Sequence, residues 1–475
     1  MKSLSKHTAA AGLLLLLASI GLSSCMVGKR YTAPELQLPQ SFAPDRADSL
    51  TLADVQWWEV YTDTTLQKLI RKALEHNKDL LTATERIRET AYRKRIQTAG
   101  LLPEISAKVA GEREFENYGG KGETASNTFE GKLLFSWEID LWGHLRWGRQ
   151  KSIAEYLESV QARRALQITL IAQVAQSYFE LMALDNELEI VQQTLAIRQE
   201  GVHQAKIRFE GGLTSEITYQ QALVEQARTA TLIPELEREI AATENDLSLL
   251  TGAYPGGGIP RGTLPQGKYL PENLPVGLPS TLLQRRPDLM EAEQRLIAAN
   301  AAVGMAYTDR FPRLVFSGVY GLETDVLSTL FKSPYGLLGG NLLSPIFAAG
   351  KKKAAYKAEQ AAYRQAVYQY EKSVQNAFRE VSDAIVAYNK AREAHQLKQR
   401  LEQSAKKYME LAQYQYINGV IRYLDVLDAQ REYFDAQTGL SNAVRDEQIA
   451  LVQLYKALGG GWNPEDDPQR KGQKS

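Results

Sequence analysis

The 475-residue chain holds a single cysteine, Cys25, so no disulfide can form within it. It has no excess of either charge. Its 56 lysines and arginines balance 56 aspartates and glutamates, which removes the electrostatic footprint of a nucleic-acid binder. Its histidines, His7, His76, His144, His203 and His395, form no H-E-x-x-H zinc motif. A G-x-x-x-x-G-K-[S/T] phosphate loop is missing too. The run "GKKK" at Gly350 has Pro345 where the first loop glycine would stand, and it reads as a solvated helix start or as a cation site for lipid headgroups or a lumen. No catalytic constellation, no metal site and no cofactor are expected, and the chain is read as a non-enzyme.

Long apolar runs are scarce as well. The run Ala9–Ile20 is about a dozen residues, short of the ~20 that span a bilayer as a helix. Lys2 and Lys6 precede it and "LSSC" follows, so residues 1–24 read as a secretory signal. Leucine, two small residues and cysteine resemble a bacterial lipobox. That resemblance makes Cys25 the lipidated first residue of the mature chain, and Met26 rather than aspartate behind it points to the outer membrane.

What the chain does have is self-similarity. "FEGGLTSEITYQQALVEQ" and "YINGVIRYLDVLDAQREY" align Gly212 with Gly419, Ile217 with Leu424, Ala222 with Ala429 and Glu225 with Glu432. The same register, 207 residues apart, pairs Gly143 with Gly350 and Gly252 with Gly459. Upstream, Asp79 pairs with Asp288 and Pro103 with Pro312 in a register of 209. Residues 63–252 and 282–459 are therefore read as two structural repeats. A Pro/Gly-rich linker (253–281) joins them, an extended strap (25–62) precedes them, and a polar tail (460–475) follows.

Each repeat has one order: a helix from Asp63 to Leu101 or its counterpart, two strands, a very long helix, a glycine turn and a further helix. In the second repeat Tyr363, Val367, Tyr370, Val374, Ala377, Val381, Ala384, Tyr388 and Ala391 are spaced alternately four and three, a heptad seam. The long helices are expected over 143–210 and 350–418, about 100 Å each, and their partners over 214–251 and 420–458. The strands fall in 104–140 and 313–347. In "TFEGKLLFSWEID", Phe129, Leu133, Phe135, Trp137 and Ile139 alternate with charged or small polar residues, the period of a strand with one apolar and one wet face. That suits a membrane barrel with a water-filled lumen. Four strands cannot close one, since about eight is the observed minimum. Two chains would supply eight and three would supply twelve, and only the wider barrel leaves a duct.

With "RRPDLMEAEQRLIAANAAVGMAYTDRFPRLVFSGVYG", "FSWEIDLWGHLR", "SPIFAAGKKK" and "YLDVLDAQR", the chain resembles the TolC-type outer membrane factors, in the lipoprotein branch associated with resistance–nodulation–division (RND) efflux pumps. The resemblance implies a mainly α fold with a membrane β-barrel. Three chains build a 12-stranded outer-membrane barrel continuous with a 12-helix periplasmic tunnel. The implied partners are a periplasmic adaptor (membrane fusion protein), an inner-membrane RND pump and outer-membrane lipid, with no nucleic acid. The implied role is an exit duct for drugs or other toxic small molecules. A duct for type I protein secretion and a structural coiled-coil lipoprotein are the alternatives, and the second leaves the strands unexplained.

The resemblance also assigns sites. The turns at Gly212 and Gly419 become the periplasmic hairpin tips. Leu424, Asp425 and Asp428 become a periplasmic gate, although acids in a first helical turn also serve the helix dipole. The first repeat has Thr218 and Gln221 where the second has Asp425 and Asp428. Some relatives latch the mouth with an acid and an arginine, but the matching positions here are Thr218 and Ile421. Tyr416 remains as a hydrogen-bonding support, and Arg422 with Glu216 as a substitute pair. Trp137 and Trp142 are read as membrane-interface aromatics and Trp147 as a further candidate, with core packing the other reading.

Overall fold

Glycines in the left-handed region mark where the long helices start and stop. Gly143 and Gly350 (φ 85° and 79°), Gly212 and Gly419 (69° and 74°) and Gly252 and Gly459 (70° and 83°) are pairs 207 residues apart. The computed structural model describes residues 26–39, 51–120, 124–262, 264 and 274–462. Cys25, the expected lipidation site, lies outside the described residues, as do the signal segment, part of the linker and residues 463–475. The chain divides into two compact units. One comprises residues 1–36, 85–160 and 291–372, the other residues 37–84, 161–290 and 373–475.

In chain order the main elements are α1 (Thr64–His76), α2 (Lys78–Ala99), β1 (Glu104–Glu116), β2 (Thr124–Ile139), α3 (His144–Glu210) and α4 (Glu216–Leu250). There follow α5 (Pro279–Arg285), α6 (Pro287–Thr308), β3 (Arg313–Thr324), β4 (Pro334–Leu343), α7 (Lys351–Ile417) and α8 (Tyr423–Ala457). The heptad seam of α7 is buried at Tyr370, Val374, Ala377, Val381, Ala384 and Tyr388.

The strands of the first unit form one antiparallel sheet in the order β1-β2-β3-β4, with β1 and β4 as open edges. One face is apolar and open. Ile105 pairs with Phe135 and Leu133 with Tyr320, while Ile105, Val109, Leu133, Tyr320 and Leu338 are all exposed. The other face carries an ion-pair ladder. Lys108 Nζ lies 2.5 Å from Glu130; Lys132 pairs with Glu130 and Glu323 and sits 4.7 Å over the Tyr335 ring. Glycine explains why β3 and β4 alternate poorly in sequence. Gly340 lies beneath the Phe316 ring and Gly336 beside Tyr320, so an aromatic covers each missing side chain. Strand β4 ends at Leu343, not at the expected 347. Pro345 has no N–H to continue a ladder, and Ala349 turns the chain with φ 46°.

The residues after the expected lipidation site are tied down within this unit. Val27 N–H donates to the Trp142 carbonyl (3.2 Å) and Trp147 Nε1 donates to the Val27 carbonyl (2.8 Å). The buried Trp147 ring is flanked by Gly28 and Gly304; a Cβ at 304 would fall 2.3 Å from it.

In the second unit the expected unbroken helix over 63–101 is two helices. Asn77 leaves the helical region (φ −60°, ψ 127°). Its side-chain oxygen accepts the Asp79 and Leu80 N–H groups at 3.0 and 3.1 Å, an N-cap, and its amide donates to the Leu250 carbonyl at 3.1 Å. In the second half Arg286 breaks the run between α5 and α6, because the residue before Pro287 is steered out of the α region. Its guanidinium donates to the Ala457 carbonyl at 3.2 Å. Leu250 and Ala457 are again 207 residues apart. The strap and linker meet near this break: Leu52 N–H donates to Pro275, Arg285 holds Asp54, and Trp462 Nε1 donates to the Arg285 carbonyl. Asn77→Ala removes the cap and the tie together. It is expected to destabilise the protein by about 1 kcal/mol, read as a lower unfolding midpoint; an unchanged midpoint would show that neighbouring contacts hold the break.

Candidate gate at the helix tips

Two matching turns lie in the second unit. At the first, Leu213 N–H donates to Arg208 (2.8 Å) and Gly212 N–H to Phe209 (2.9 Å). At the second, Val420 donates to Gln415 (2.9 Å) and Gly419 to Tyr416 (3.0 Å). This six-to-one bond with a tighter inner one is the Schellman motif, which needs a left-handed residue at its corner and finds it in Gly212 and Gly419. Beyond the second turn, Arg422 is the non-helical residue before α8.

Leu424 is exposed, Asp425 half-buried and Asp428 exposed. The two acids do different work. Asp425 accepts the Arg422 backbone N–H at 2.9 Å and so closes the start of α8. Asp428 is free of that duty and, among the described residues, accepts only a long bond from the Tyr408 hydroxyl of α7, 3.5 Å. Tyr408 has its phenol pKa pushed up, first by partial loss of solvent and then by the Asp428 and Asp425 carboxylates. Tyr423, the first residue of α8, is pushed up to about 12, chiefly by burial and then by Tyr416. A Cβ at Gly201 of α3 would lie 2.9 Å from its hydroxyl.

The supporting residues behave differently from expectation within one chain. The Tyr416 hydroxyl makes no hydrogen bond among the described residues. Its ring packs 5.5 Å from Tyr423 and takes the Arg208 guanidinium at 4.9 Å. Arg422 and Glu216 form no ion pair, because Arg422 stands outside the helix while Glu216, in the first turn of α4, accepts from Gln220 at 3.4 Å. In the first unit, Trp137 Nε1 donates to the Leu101 carbonyl (3.2 Å). Trp142 Nε1 donates to the Pro312 carbonyl (2.9 Å), and its ring stacks on Phe311 at 4.9 Å. Each indole thus has its polar end satisfied beside the start of the sheet. Among the described residues no cluster of histidine and carboxylate side chains could hold a metal ion.

One set of residues was not anticipated. Arg198, Glu225, Arg228 and Arg431 gather where α3, α4 and α8 meet, with Glu225 only 4% exposed. Charges on long polar helices ordinarily read as a solvated face. The one signal was the repeat register, which places Ala405 opposite Arg198 and Val224 opposite Arg431.

Amphipathic strands with an open apolar face, on a chain with 67-residue helices that end in paired Schellman turns, define a mostly helical outer-membrane channel of the TolC-like kind. The profile of the outer membrane efflux protein family matches residues 69–253 and again 278–460. Outer membrane protein OprJ of Pseudomonas aeruginosa is 32% identical, over 96% of each chain. The probable outer membrane lipoprotein SilC of Salmonella typhimurium is 30% identical, over 93% of this chain and 96% of that one. The crystal structure of the Campylobacter jejuni CmeC outer membrane channel superposes with a TM-score of 0.85 at 25% identity, covering 95% of this chain and 98% of that one. The chain belongs to the outer membrane efflux protein family, and is an outer-membrane efflux channel.

Proposed function

We propose that three copies of the chain close a 12-stranded barrel continuous with a 12-helix periplasmic tunnel, and that the assembly is the passive exit duct of a tripartite RND-type efflux system. Drugs or other toxic small molecules enter from a periplasmic adaptor and an inner-membrane pump, and leave through the barrel. The two structural repeats supply matching hairpins, and the hairpin tips close the mouth at rest through Leu424, Asp425 and Asp428. A covalent lipid on Cys25 anchors the mature chain, with Trp137 and Trp142 at the membrane interface.

The observation that carries this reading is the sheet. It has an exposed apolar face, an ion-paired face and two open edges. In hydrocarbon an open edge leaves backbone groups unpaired at several kcal/mol each, so other strands must cover it. Twelve strands would place the Lys108–Glu130–Lys132–Glu323 ladder on the wall of a wet lumen.

Deleting the gene tests the role. Susceptibility to drugs, bile salts or metal ions is expected to rise, and the lipobox-bearing full-length chain is expected to restore it. Unchanged susceptibility together with loss of an exported protein would replace this role with secretion.

A further inference from the structure

Three arginines converge on one buried carboxylate. Glu225 Oε1 accepts from Arg228 at 3.2 Å and from Arg431 of α8 at 3.0 Å, and Oε2 lies 3.3 Å from Arg198 of α3. Arg198 also donates to the Glu225 carbonyl at 2.9 Å and to the Thr229 hydroxyl. It also reaches α8, its guanidinium lying 5.9 Å from the Phe434 ring. Burial holds the Arg198 guanidinium below its ordinary pKa range, with Glu225 opposing that shift. Satisfaction is incomplete: Arg198 Nε and Arg431 Nε are buried without a hydrogen-bond acceptor among the described residues.

Stability alone does not account for this cluster. Buried ion pairs are often no better than well-packed apolar residues, and a switch is their best-attested use. The chain itself supplies the comparison. In the second repeat Ala405 is buried in place of Arg198 and Glu432, the counterpart of Glu225, is exposed, while Val224 of the first repeat is the counterpart of Arg431. Similar helices therefore pack without the cluster, and it occurs once per chain.

Its parts are unequally held. The side chains of Arg198 and Glu225 are 6% and 5% exposed, whereas that of Arg431 is 41% exposed. The Arg228 side chain is more exposed still, at 64%, but it lies on α4 within one turn of Glu225; of the two bonds that water can reach, Arg431's is the one that ties α8 to α4. Beside it runs a groove of about 500 Å³ lined by Ile217, Val224, Leu424, Leu427 and Arg431 itself.

We propose that Glu225 is the centre of an intra-chain clasp. It holds α8, and with it Asp425 and Asp428, against α3 and α4 while the duct is closed, and it takes the place of the latch missing at Thr218 and Ile421. Opening passes through release of Arg431 from Glu225, while Arg198 and Arg228 keep their carboxylate. This rests on the reading of the tips as the gate.

Single-channel conductance of the purified full-length protein in planar bilayers tests it, with native mass recorded for every variant. Glu225→Gln and Arg431→Gln are each expected to raise conductance at least twofold. The double variant is expected to add little to either, because both break one link. Arg238→Gln, an exposed α4 position outside the cluster, serves as the control and keeps wild-type conductance. Should Glu225→Gln fail to assemble, Arg431→Gln decides alone, since it leaves the two remaining pairs in place. Wild-type conductance in the clasp variants, with a rise in Asp425→Ala/Asp428→Ala, would overturn the clasp and leave the gate standing. Wild-type conductance in all of them would remove both. A rise in the clasp variants alone would support the clasp and remove the aspartates from the gate.

Discussion

Asp425→Ala/Asp428→Ala is expected to conduct several-fold more than wild type in planar bilayers and to lose block by multivalent cations. Each aspartate sits on the second-repeat hairpin, and the first repeat offers Thr218 and Gln221 instead. Three chains would therefore set two carboxylate rings on alternate hairpins of the tunnel mouth. Like charges at close range resist joint ionisation and gather cations, so removing them is expected to abolish cation block and relax the constriction together. The single variants should differ. Asp425 also closes the first turn of α8 through the Arg422 N–H, so Asp425→Ala combines a gating effect with a frayed helix start. Asp428 has, among the described residues, only the 3.5 Å contact from Tyr408, so Asp428→Ala isolates the charge. Unchanged conductance and unchanged cation block in the double variant would remove these residues from the gate.

The largest effect on stability is expected from Trp147→Ala, at about 3–5 kcal/mol. The indole is 1% exposed, and its Nε1 supplies a bond to the strap at the Val27 carbonyl. Gly28 and Gly304 leave no methyl group to collapse into the cavity, since each is shaped to the ring. Gly304→Val is expected to be comparably harmful from the opposite side, because its Cβ would enter the space the ring occupies. Thermal unfolding of the detergent-solubilised protein measures both, and protease digestion reports whether the strap has come away. A loss below about 1 kcal/mol for Trp147→Ala would show that the ring fills space without organising the junction.

Much of the fold was legible because it rests on strong periodic signals. The seam of α7 and the alternation in β2 each continue long enough to exclude the other period. The glycine corners were legible because each begins or ends a helix. Strands β3 and β4 were blurred by their glycines; Gly336 and Gly340 of β4 sit against rings of β3, and a one-dimensional pattern cannot show a cross-strand partner. The break at Arg286 has Pro287 to announce it, but the one at Asn77 depends on a contact with Leu250, 173 residues away. At the tips, Asp425 and Asp428 stood out as two acids on one helical face. Glu225 did not, because burial rather than spacing makes it unusual. His395 and Glu447 were hidden for the same reason. They meet at 2.5 Å, almost wholly buried, where the other repeat has Leu188 and Ile240.

The proposed duct needs three chains to close one barrel, since one chain brings four strands with two open edges among the described residues. Native mass spectrometry of the full-length protein extracted from the outer membrane measures this directly. A single species of three chains that conducts when inserted into a bilayer is expected. A conducting species of one or two chains would contradict it.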